Sequence, residues 1–456
     1  MGKMLPAKLA EWCSGEWDGD RPMSIRGATM DSRALKPREL FFALPGVNVD
    51  GHDFVGKAFE AGASAAVVRV DYARPAGVSG SLLRVADPSL ALREAAREYR
   101  KQIDATVVGI TGSAGKTTVK EMVASVVSQC FRTAQTLGNW NNDIGLPLSL
   151  LSLSENTQTA VIEMGTNNTG EIADLCTIAL PTMGVVTNIG AAHIENFGSL
   201  EAIASEKGAL LAALPASGLA VLDRDDDMYK RLRERCTSKV ITISEHKGDY
   251  VLEARDVESR VARIRETATN DVFEFTSRLP GLFVVKDAMF AIAIARGLGM
   301  NWVDISDGLK TYQPQPMRWE ISRMRGANIV NDAYNANPVS MRSTIDAFAE
   351  LECKGRKWVV LGGMLELGKH ERALHLDLGH QLAVHDWHRV VVVGPLGWTI
   401  AEGAADGGLP EERLCRCQNN SSAAELLLDD VQGGDSVLVK GSRGLKLEEI
   451  QKAFAR

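Results

Sequence analysis

The stretch of the chain best suited to chemistry spans residues 107–118 and reads VVGITGSAGKTT. A short apolar run ends in a glycine-rich turn, and Lys116, Thr117 and Thr118 follow that turn directly. Apolar residues then recur with helical spacing, so the pattern predicts a strand, a turn and a helix. Backbone N–H groups in such a turn bind an anion, the lysine neutralises it, and a threonine hydroxyl can hold Mg²⁺. Although Ile110 replaces the first glycine of the strict motif, the context predicts a nucleotide phosphate site made by Gly112, Ser113, Ala114, Gly115, Lys116, Thr117 and Thr118.

Three further side chains are candidates for the same site. Glu163 ends the apolar run TAVIE, and His193 lies shortly after the run MGVVTN. The carboxyl ends of parallel strands face the crevice in which ligands bind, and a carboxylate there is a natural Mg²⁺ ligand. For His193, a metal or phosphate role and a hydrogen-bonded loop histidine are both open. Lys207 lies in a predicted helix over 200–214, where an exposed surface lysine is the ordinary interpretation.

Polar loops supply other candidates, each with a purely structural alternative. The turn at 136–147 holds three asparagines in four residues, Asn142 among them, which suits hydrogen bonds to a ligand or to backbone. Near the N-terminus, DSR at 31–33 can bind a ligand or cap a helix. The DGHD stretch at 50–53 can bind a ligand or form a surface turn.

The pattern of elements divides the chain into three α/β units, which we bound at residues 1–103, 104–314 and 315–456. In the third unit, strands and helices alternate, which predicts a parallel sheet with helices on both faces. Two polar stretches there follow predicted strands and should lie at the ligand-binding edge. They are NDAYNANP at 331–338 and KGSRG at 440–444, the latter suited to an anion, to a carboxylate or to a simple helix start.

Other segments predict the rest of the architecture. Residues 58–70, AFEAGASAAVVRV, read as helical, whereas the alternation over 247–278 predicts a small antiparallel patch. An apolar run at 288–298 predicts a buried helix. The QPQP sequence at 313–316 predicts a stiff linker before the third unit.

Composition limits the classes of partner and the compartment. A formal net charge of −7 offers no general attraction to nucleic acid or to anionic membranes. The sequence has no apolar run long enough to span a bilayer, and its first residues lack the apolar core of a signal peptide. The seven cysteines are scattered, and the C-x-C at 415–417 has no second pair to complete a zinc site. We therefore expect a cytoplasmic monomer with reduced thiols and no membrane insertion.

Nine stretches together resemble the Mur ligase family, in the family's order and over nearly the whole chain. Within that family, the resemblance is to the branch that adds a D-alanyl-D-alanine dipeptide, because NDAYNANP and the asparagine-rich turn differ in the sister enzymes. The matching stretches are DSR with DGHDF, TGSAGKTT, TLGNWNNDIGLPLSLL, EMGTNNTGEI, TNIGAAHIENFGS, SEKGAL, NDAYNANPVSM, MLELG and VKGSRG. This resemblance implies a small N-terminal α/β domain for a UDP-sugar, a central P-loop ATPase-like parallel sheet and a C-terminal Rossmann-like domain.

The resemblance also implies roles for individual residues. Thr117, Glu163 and His193 become metal ligands, and Lys207 becomes a carbamylated lysine that helps to hold a second Mg²⁺. Such a modification has a chemical rationale, because a neutral lysine that captures CO₂ becomes a carboxylate-like anion. The nucleotide contacts implied from elsewhere in the chain are Asn142, Arg318, Asp332, Asn335 and Asn337. The substrate contacts implied are Asp31, Ser32, Arg33, Asp50 and His52 for the UDP-sugar, with Lys440, Ser442 and Arg443 at the acyl and dipeptide end.

The implied reaction is ATP-dependent, ADP-forming ligation of D-alanyl-D-alanine to UDP-MurNAc-tripeptide, in the synthesis of peptidoglycan. The tripeptide carboxylate first attacks the γ-phosphate to give an acyl phosphate, and the dipeptide amine then attacks the acyl carbon. Lys116 and Mg²⁺ neutralise the negative charge and orient the groups. Since water would destroy the acyl phosphate, we expect the domains to close around the site.

Several positions depart from the family pattern. Phe283 and its neighbours replace a His-Asn pair that contacts adenine, which leaves base packing but removes those hydrogen bonds, and Asp287 replaces a later asparagine. Met317 replaces a glycine, Gly363 replaces an aspartate, and Asn168 and Asn48 replace a frequent histidine and arginine. Two alternatives therefore stand beside the ligase: another Mur-type ligase with a different acceptor, or a nucleotide-binding partner protein that no longer ligates. The retained set Lys116, Thr117, Glu163, His193 and Lys207 argues against the second.

Overall fold

The computed structural model describes residues 5–46 and 48–455, whose strands form three separate sheets. Residues 1–4, part of the N-terminal stretch considered above, lie outside the described residues. Each sheet is mostly parallel and carries helices on its faces, so the expected α/β architecture in three domains is observed. No helix within the described ranges is both long and apolar enough to cross a membrane.

The first sheet has five strands in the order β1-β5-β4-β3-β2, of which β1 is antiparallel and the others parallel. Its elements are α1 Pro6–Trp12, β1 Glu16–Asp18, β2 Ala28–Thr29, β3 Leu40–Phe42, α2 Val55–Glu60, β4 Ala65–Arg69, β5 Ser81–Val85 and α3 Pro88–Lys101. The expectation of one helix over 58–70 is wrong, because α2 ends at Glu60 and β4 follows. Gly62, with φ of 96°, ends the helix, and the apolar residues of β4 are buried. A strand covered on both faces carries a continuous apolar run that resembles a buried helix.

The central sheet has nine strands in the order β14-β13-β12-β11-β10-β9-β6-β8-β7. Its elements are β6 Thr106–Thr111, α4 Lys116–Val127, β7 Thr133–Gln135, α5 Gly145–Leu151, β8 Thr159–Glu163, α6 Glu171–Ala179, β9 Met183–Val186, α7 Ile194–Phe197, α8 Leu200–Ala212, β10 Leu219–Asp223, α9 Tyr229–Glu234, β11 Lys239–Ser244, β12 Tyr250–Arg255, β13 Val261–Glu266, β14 Asp271–Thr276, α10 Leu282–Gly297 and α11 Trp302–Thr311. The parallel strands β6, β8 and β9 lie at its centre, so the loops after them meet at one edge. The antiparallel patch predicted from the alternation is β12–β14.

The third sheet has six strands in the order β15-β16-β20-β17-β18-β19, parallel except for the pairing of β15 with β16. Its elements are β15 Glu320–Met324, β16 Ala327–Asn331, α12 Pro338–Glu350, β17 Lys357–Leu361, α13 Glu371–Leu382, β18 Arg389–Val393, α14 Gly394–Asp406, β19 Leu414–Cys417, α15 Asn420–Asp430, β20 Ser436–Lys440 and α16 Glu448–Phe454. The sequence analysis did not anticipate β15, α14 or β19. The C-x-C motif lies in β19, and both of its cysteines are free thiols.

Helix α3 joins the first and central domains more tightly than a linker would. Its buried apolar residues belong to one core that also contains apolar residues of α5 and α6. The Tyr99 hydroxyl donates to the Leu153 carbonyl at 2.9 Å. The buried Arg100 guanidinium donates to the carbonyls of Ala179, Ile103 and Ala105. These bonds satisfy polar groups that burial would otherwise leave unpaired.

Candidate active site

A cavity of about 540 Å³ lies where the loops after β6, β8 and β9 meet the third domain. It brings together residues that are far apart in the sequence and that were expected to act together. Predicted site residues in its wall are Ser113, Ala114, Gly115, Lys116, Thr117, Thr118, Asn142, Glu163, His193, Arg318, Asp332, Asn335, Asn337 and Lys440. Gly112, Lys207, Ser442, Arg443 and the first-domain candidates are not in this wall.

The phosphate loop has a shape that only glycine permits at two positions. Gly112 has φ of 151° and Gly115 has φ of 79°, in the region that side chains disfavour. A Cβ added at Gly112 would collide with the Thr187 hydroxyl. That hydroxyl donates to the Ala114 carbonyl at 2.5 Å, and the Asn188 side chain accepts from the Ala114 N–H at 3.0 Å. The residues after β9 therefore hold the loop open, a role that the sequence analysis missed although the run MGVVTN contained the signal.

Lys116 begins helix α4 and points back across its own loop. Its ammonium donates to the Gly112 carbonyl at 2.8 Å and therefore lies over the loop that was predicted to bind an anion. Burial lowers its pKa, Glu163 opposes that effect, and Arg318 adds to it. Two cations and one anion thus surround the position where phosphate would lie, and a negatively charged ligand there would raise the pKa of Lys116.

Glu163 has the surroundings expected of a cation ligand. It is 2% exposed, and its Oε1 accepts from the Asn141 amide at 2.8 Å. Its Oε2 is buried without a hydrogen-bond partner among the described residues. Buried carboxylate oxygens are almost always paired or bound to metal, so a hard cation fits this position. The neighbouring Asn142 accepts from Gly145 N–H at 2.9 Å and shapes the turn beside it.

His193 is held by a residue of the third domain. Its Nδ1 lies 2.5 Å from Oε2 of Glu366, which belongs to the stretch MLELG. Burial lowers the pKa of His193, with Lys116 and Lys207 adding to that effect and Glu366 opposing it. The ring is therefore neutral near pH 7, the state in which imidazole binds metal. The sequence analysis gave Glu366 no role.

Lys207 is buried rather than exposed, which corrects the ordinary interpretation of a helix lysine. Only 2% of its surface is accessible. Burial lowers its pKa well below the usual value, and the nearby charge of Lys116 adds to that effect. The carboxylate of Glu206 opposes this effect, but the lowered pKa still increases the fraction of the side chain that is a neutral amine.

Asn337 and Arg318 of the third domain line the cavity beside the phosphate loop. Asn337 caps helix α12 and donates through Nδ2 to the Ser113 carbonyl at 3.1 Å. Arg318 stacks on the Tyr334 ring, with 4.1 Å between the guanidinium carbon and the ring centroid. Asn335 is exposed in the cavity wall nearby. The loop at 331–338 therefore contacts the central domain, and its asparagines lie where nucleotide contacts were expected.

Asp332 and Lys440 form a buried pair instead of two free ligand groups. The Lys440 ammonium, 2% exposed, lies 2.5 Å from Oδ2 of Asp332. That carboxylate also accepts from the Trp319 N–H and from the Thr344 hydroxyl. Both residues consequently support the loops around the cavity.

The rest of the KGSRG stretch packs against its surroundings. The Ser442 hydroxyl accepts from Leu365 N–H at 3.0 Å and donates to the Ala336 carbonyl. Arg443 is about half exposed beside Glu448 and Met317. Ser442 therefore braces two loops of the third domain, whereas Arg443 has a guanidinium at the surface.

The end of the cavity beyond Thr118 is aromatic. Phe283 and Trp319 lie with their ring centroids 6.2 Å apart, and Leu279 and Tyr312 complete the wall. Two polar atoms are buried there without partners among the described residues, Trp319 Nε1 and Asp287 Oδ2. Burial raises the pKa of Asp287 well above its usual value. An aromatic face at this end offers a planar base a surface for stacking, and Trp319 and Tyr312 are residues that the sequence analysis did not select.

The first-domain candidates lie in two polar turns away from this cavity. Asp31 accepts from the Arg33 backbone and guanidinium, and Arg33 is 88% exposed, so DSR forms a turn rather than a helix cap. Asp50 caps a short helical turn and lies 2.6 Å from His52 Nδ1. His52 Nε2 accepts from the Arg69 N–H at 2.9 Å. Both ring nitrogens of His52 are therefore engaged within the protein.

Two departures from the family pattern have local explanations. Met317 has φ of 59°, a conformation that glycine adopts without strain, and its sulfur contacts Arg443. Gly363 lies so close to Leu396 that an added Cβ would overlap that side chain. The larger residue usual at position 363 is therefore excluded by packing in this chain.

Comparison with known proteins places these features in a family. Residues 24–100 match the catalytic domain of the Mur ligase family, residues 110–295 the Mur ligase middle domain, and residues 317–443 the glutamate ligase domain of Mur ligases. The UDP-N-acetylmuramoyl-tripeptide–D-alanyl-D-alanine ligase of Bacillus subtilis (strain 168) is 36% identical, over 94% of this chain and 93% of its own.

Solved structures agree over the whole length. A crystal structure of MurF from Acinetobacter baumannii has a TM-score of 0.89 and 29% identity, covering 100% of this chain and 99% of that one. A MurF ligase from Thermotoga maritima in complex with ADP has a TM-score of 0.80 and 28% identity, covering 94% and 97%. The expected fold class is confirmed. The chain therefore belongs to the Mur ligase family, on the branch that these MurF relatives represent.

Proposed function

We propose that the protein is an ATP-dependent, ADP-forming ligase that joins D-alanyl-D-alanine to UDP-MurNAc-tripeptide, giving the pentapeptide precursor of peptidoglycan. The observation that carries this proposal is the cavity in which the phosphate loop, the unpaired carboxylate of Glu163 and the third domain meet. The curated relatives, similar over nearly the full length, have that activity in their names. A structure similar over nearly the whole chain holds ADP.

The chain's own residues account for the first half-reaction. The N–H groups of residues 112–118 and the Lys116 ammonium bind the phosphates and orient the γ-phosphate. A carboxylate oxygen of the tripeptide then bonds to the γ-phosphorus while the bond to the β–γ bridging oxygen breaks, which releases ADP. Arg318 and Lys116 face the charge that develops on the transferred group.

In the second half-reaction, the dipeptide amine bonds to the acyl carbon, loses a proton, and inorganic phosphate leaves. Water would compete with the amine for the same carbon. The contact of Asn337 with Ser113 and that of Glu366 with His193 hold the third domain over the site, which limits the entry of water. Asp332 with Lys440, and Ser442, keep the covering loops in place, and Arg443 is available to a substrate carboxylate.

The residues fit Mg²⁺, which when bound neutralises phosphate charge and favours in-line transfer. Glu163 Oε2, the Thr117 hydroxyl and neutral His193 would hold it. No group of three or more His, Cys, Asp or Glu side chains suited to a metal is found in the described part of the chain. The remaining ligands would therefore come from nucleotide phosphates, as is usual for Mg²⁺.

Carbamylation of Lys207 would complete a second cation position. The neutral amine nitrogen bonds to the carbon of CO₂ and loses a proton, which leaves a carbamate with one negative charge. This anion would lie near Lys116, whose positive charge would stabilise it. Protein incubated with ¹³C-bicarbonate should show a carbamate signal by NMR, and Lys207→Ala should remove that signal. A wild-type spectrum without the signal would overturn the assignment.

The remaining assignments concern the domain boundaries and the residues that would bind the UDP group and the adenine nucleotide. We infer boundaries near 103/104 and 314/315, supported by the short connections between α3 and β6 and between α11 and β15. The turns with Asp31, Ser32, Arg33 and Asp50 are the proposed UDP site, and His52 braces the second turn from within. Asn142, Asn335 and Asn337 are the proposed nucleotide contacts, and adenine would stack at Phe283 and Trp319.

The direct test supplies the purified protein with UDP-MurNAc-tripeptide, ATP, Mg²⁺ and D-alanyl-D-alanine. Mass spectrometry should detect the pentapeptide product together with an equal amount of ADP. Samples without the dipeptide, and a Lys116→Ala variant, should yield no pentapeptide. ADP and product with another amine acceptor only would favour the other Mur-type ligase, and no turnover with any acceptor would favour the non-ligating partner protein.

A further inference from the structure

Two residues from different domains meet at the candidate metal position with the same rare backbone conformation. His193 of the central domain has φ of 55°, and Glu366 of the third domain has φ of 63°. Their side chains approach to 2.5 Å between Nδ1 and Oε2, which is a close charge contact, although Nδ1 has no aligned hydrogen-bond partner among the described residues. A second bond joins the same loops, since the Glu195 N–H donates to the Glu366 carbonyl at 3.2 Å.

This conformation is costly for residues with side chains. A left-handed backbone brings Cβ too close to the following carbonyl oxygen in every residue that is not glycine. Such strain persists where surrounding contacts over-determine the geometry, and it is concentrated at functional positions. Here the contacts are mutual, because each strained residue is held by the other domain.

The contact determines which ring nitrogen of His193 remains for a ligand. With Nδ1 facing the Glu366 carboxylate, Nε2 is the nitrogen left to coordinate. Metal-binding histidines almost always present their second N–H to a carboxylate or carbonyl, which sets the tautomer and the ring orientation. Here the carboxylate comes from a different domain than the histidine.

We propose that Glu366 is a positioning residue that the third domain supplies to His193, so that the metal position is complete only when that domain is docked. This inference rests on the proposed function, in which His193 holds a divalent cation. The inference extends that function, because the affinity for the cation then depends on closure of the third domain. Glu366 itself touches neither substrate nor cation.

The chain offers a matched control at the same domain interface. Arg255 on β12 and Glu350 on α12 form a bidentate ion pair between the central and third domains, with both N–O distances at 2.7 Å. Glu350 does not line the cavity. Glu350→Gln therefore weakens the interface by one ion pair, as Glu366→Gln does, without altering the surroundings of His193.

The experiment measures Mn²⁺ binding to the full chain in the presence of ADP, by loss of the free Mn²⁺ signal in electron paramagnetic resonance. No turnover is needed. We expect Glu366→Gln to weaken Mn²⁺ binding about 10- to 100-fold, the usual effect of removing such a partner. Glu350→Gln should bind Mn²⁺ as the wild type does. His193→Ala should weaken binding, and adding Glu366→Gln to it should cause no further loss.

The possible failures are distinguishable. Wild-type Mn²⁺ affinity in Glu366→Gln would overturn the positioning role. An equal loss of affinity in Glu350→Gln would also overturn it, because weaker docking of the third domain alone would then explain the loss. An additive loss in the double variant would also overturn it, since Glu366 would then act independently of His193. Unchanged affinity in His193→Ala would instead remove the metal role of His193 from the proposed function.

Discussion

Gly190 and Val339 touch across the interface between the central and third domains, so closely that a Cβ on Gly190 would overlap a methyl group of Val339. Gly190 also exchanges hydrogen bonds with the Ser113 side chain in the phosphate loop. The interface and the loop are therefore coupled at one small residue.

Gly190→Ala should separate the third domain from the phosphate loop. An overpacked contact costs about 1–3 kcal/mol, so we expect ligation to fall by roughly 5- to 150-fold. Val339→Ala in the same chain should restore most of the activity, because it removes the overlapping methyl groups. Steady-state ADP release by the two single variants and the double variant measures this, and a double variant as slow as Gly190→Ala would place the defect in the loop itself.

Lys116→Ala should abolish phosphate transfer, since the ammonium faces the position of the γ-phosphate. Loss of such a preorganised charge lowers turnover by at least ~10²–10³-fold. The variant should keep its fold, which circular dichroism checks. Lys310→Ala, at an exposed helix position paired only with Asp307, is the matched control and should leave ADP release unchanged. Wild-type-like phosphate release by Lys116→Ala in the presence of all substrates would contradict the assignment.

Asp332→Ala should be strongly destabilising, because it leaves the Lys440 ammonium buried without a counterion. Breaking a buried pair in this way costs about 3–5 kcal/mol. The double variant Asp332→Asn with Lys440→Met should be closer to the wild type than Asp332→Ala is. Urea unfolding measures the free energies, and equal losses in both variants would indicate that the hydrogen bonds to Trp319 and Thr344 dominate instead.

Asp287→Asn should stabilise the protein at neutral pH. The pKa of Asp287 is raised in the folded state by burial, so between the unfolded and folded pKa values the folded protein binds more protons than the unfolded one. The free energy of unfolding of the wild type therefore falls as pH rises through that window. The advantage of the variant should grow with pH at up to about 1.4 kcal/mol per pH unit, the slope for one proton, and vanish below the unfolded pKa.

Urea unfolding of both proteins from pH 4 to pH 8 would test this, because that range covers roughly the pH values over which carboxyl groups titrate in proteins. Asp271→Asn on the exposed strand β14 controls for the loss of a charge. An advantage of Asp287→Asn that does not change with pH would mean that hydrogen bonding, not proton binding, causes it.

Sequence was sufficient where local pattern and chemistry coincide. The strand, glycine turn and helix around Lys116 formed as predicted, and the burial of Glu163 at the end of β8 agrees with its predicted position. Pattern failed for β4, whose apolar residues are covered on both faces and so lack the alternation of a half-buried strand. It also failed for Lys207, because helix α8 is buried on more than one side and its sequence therefore does not separate into an apolar face and a polar face.

Contacts between domains could not be predicted from local pattern. The Glu366–His193 pair and the Asn337–Ser113 bond join residues more than 170 positions apart, and each depends on how two sheets dock. The pairing of Asp332 with Lys440 likewise requires the order of strands β16 and β20, which are neighbours in space but not in sequence. The family resemblance identified these stretches as important, but it did not indicate which of their side chains bond within the protein and are therefore unavailable to a ligand.

The core shared by α3, α5 and α6 bears on how members of this family could exchange parts. A chimera cut at residue 103 would pair a foreign α3 with the native α5 and α6, and Arg100 would have to find its carbonyl partners in a chain that it did not evolve with. A crossover before Pro88 keeps Arg100 with its partners, but it places the foreign junction between α3 and the first sheet, whose apolar residues belong to the same core. The first domain therefore has no independent core that ends at residue 103, because α3 belongs to both neighbours at once.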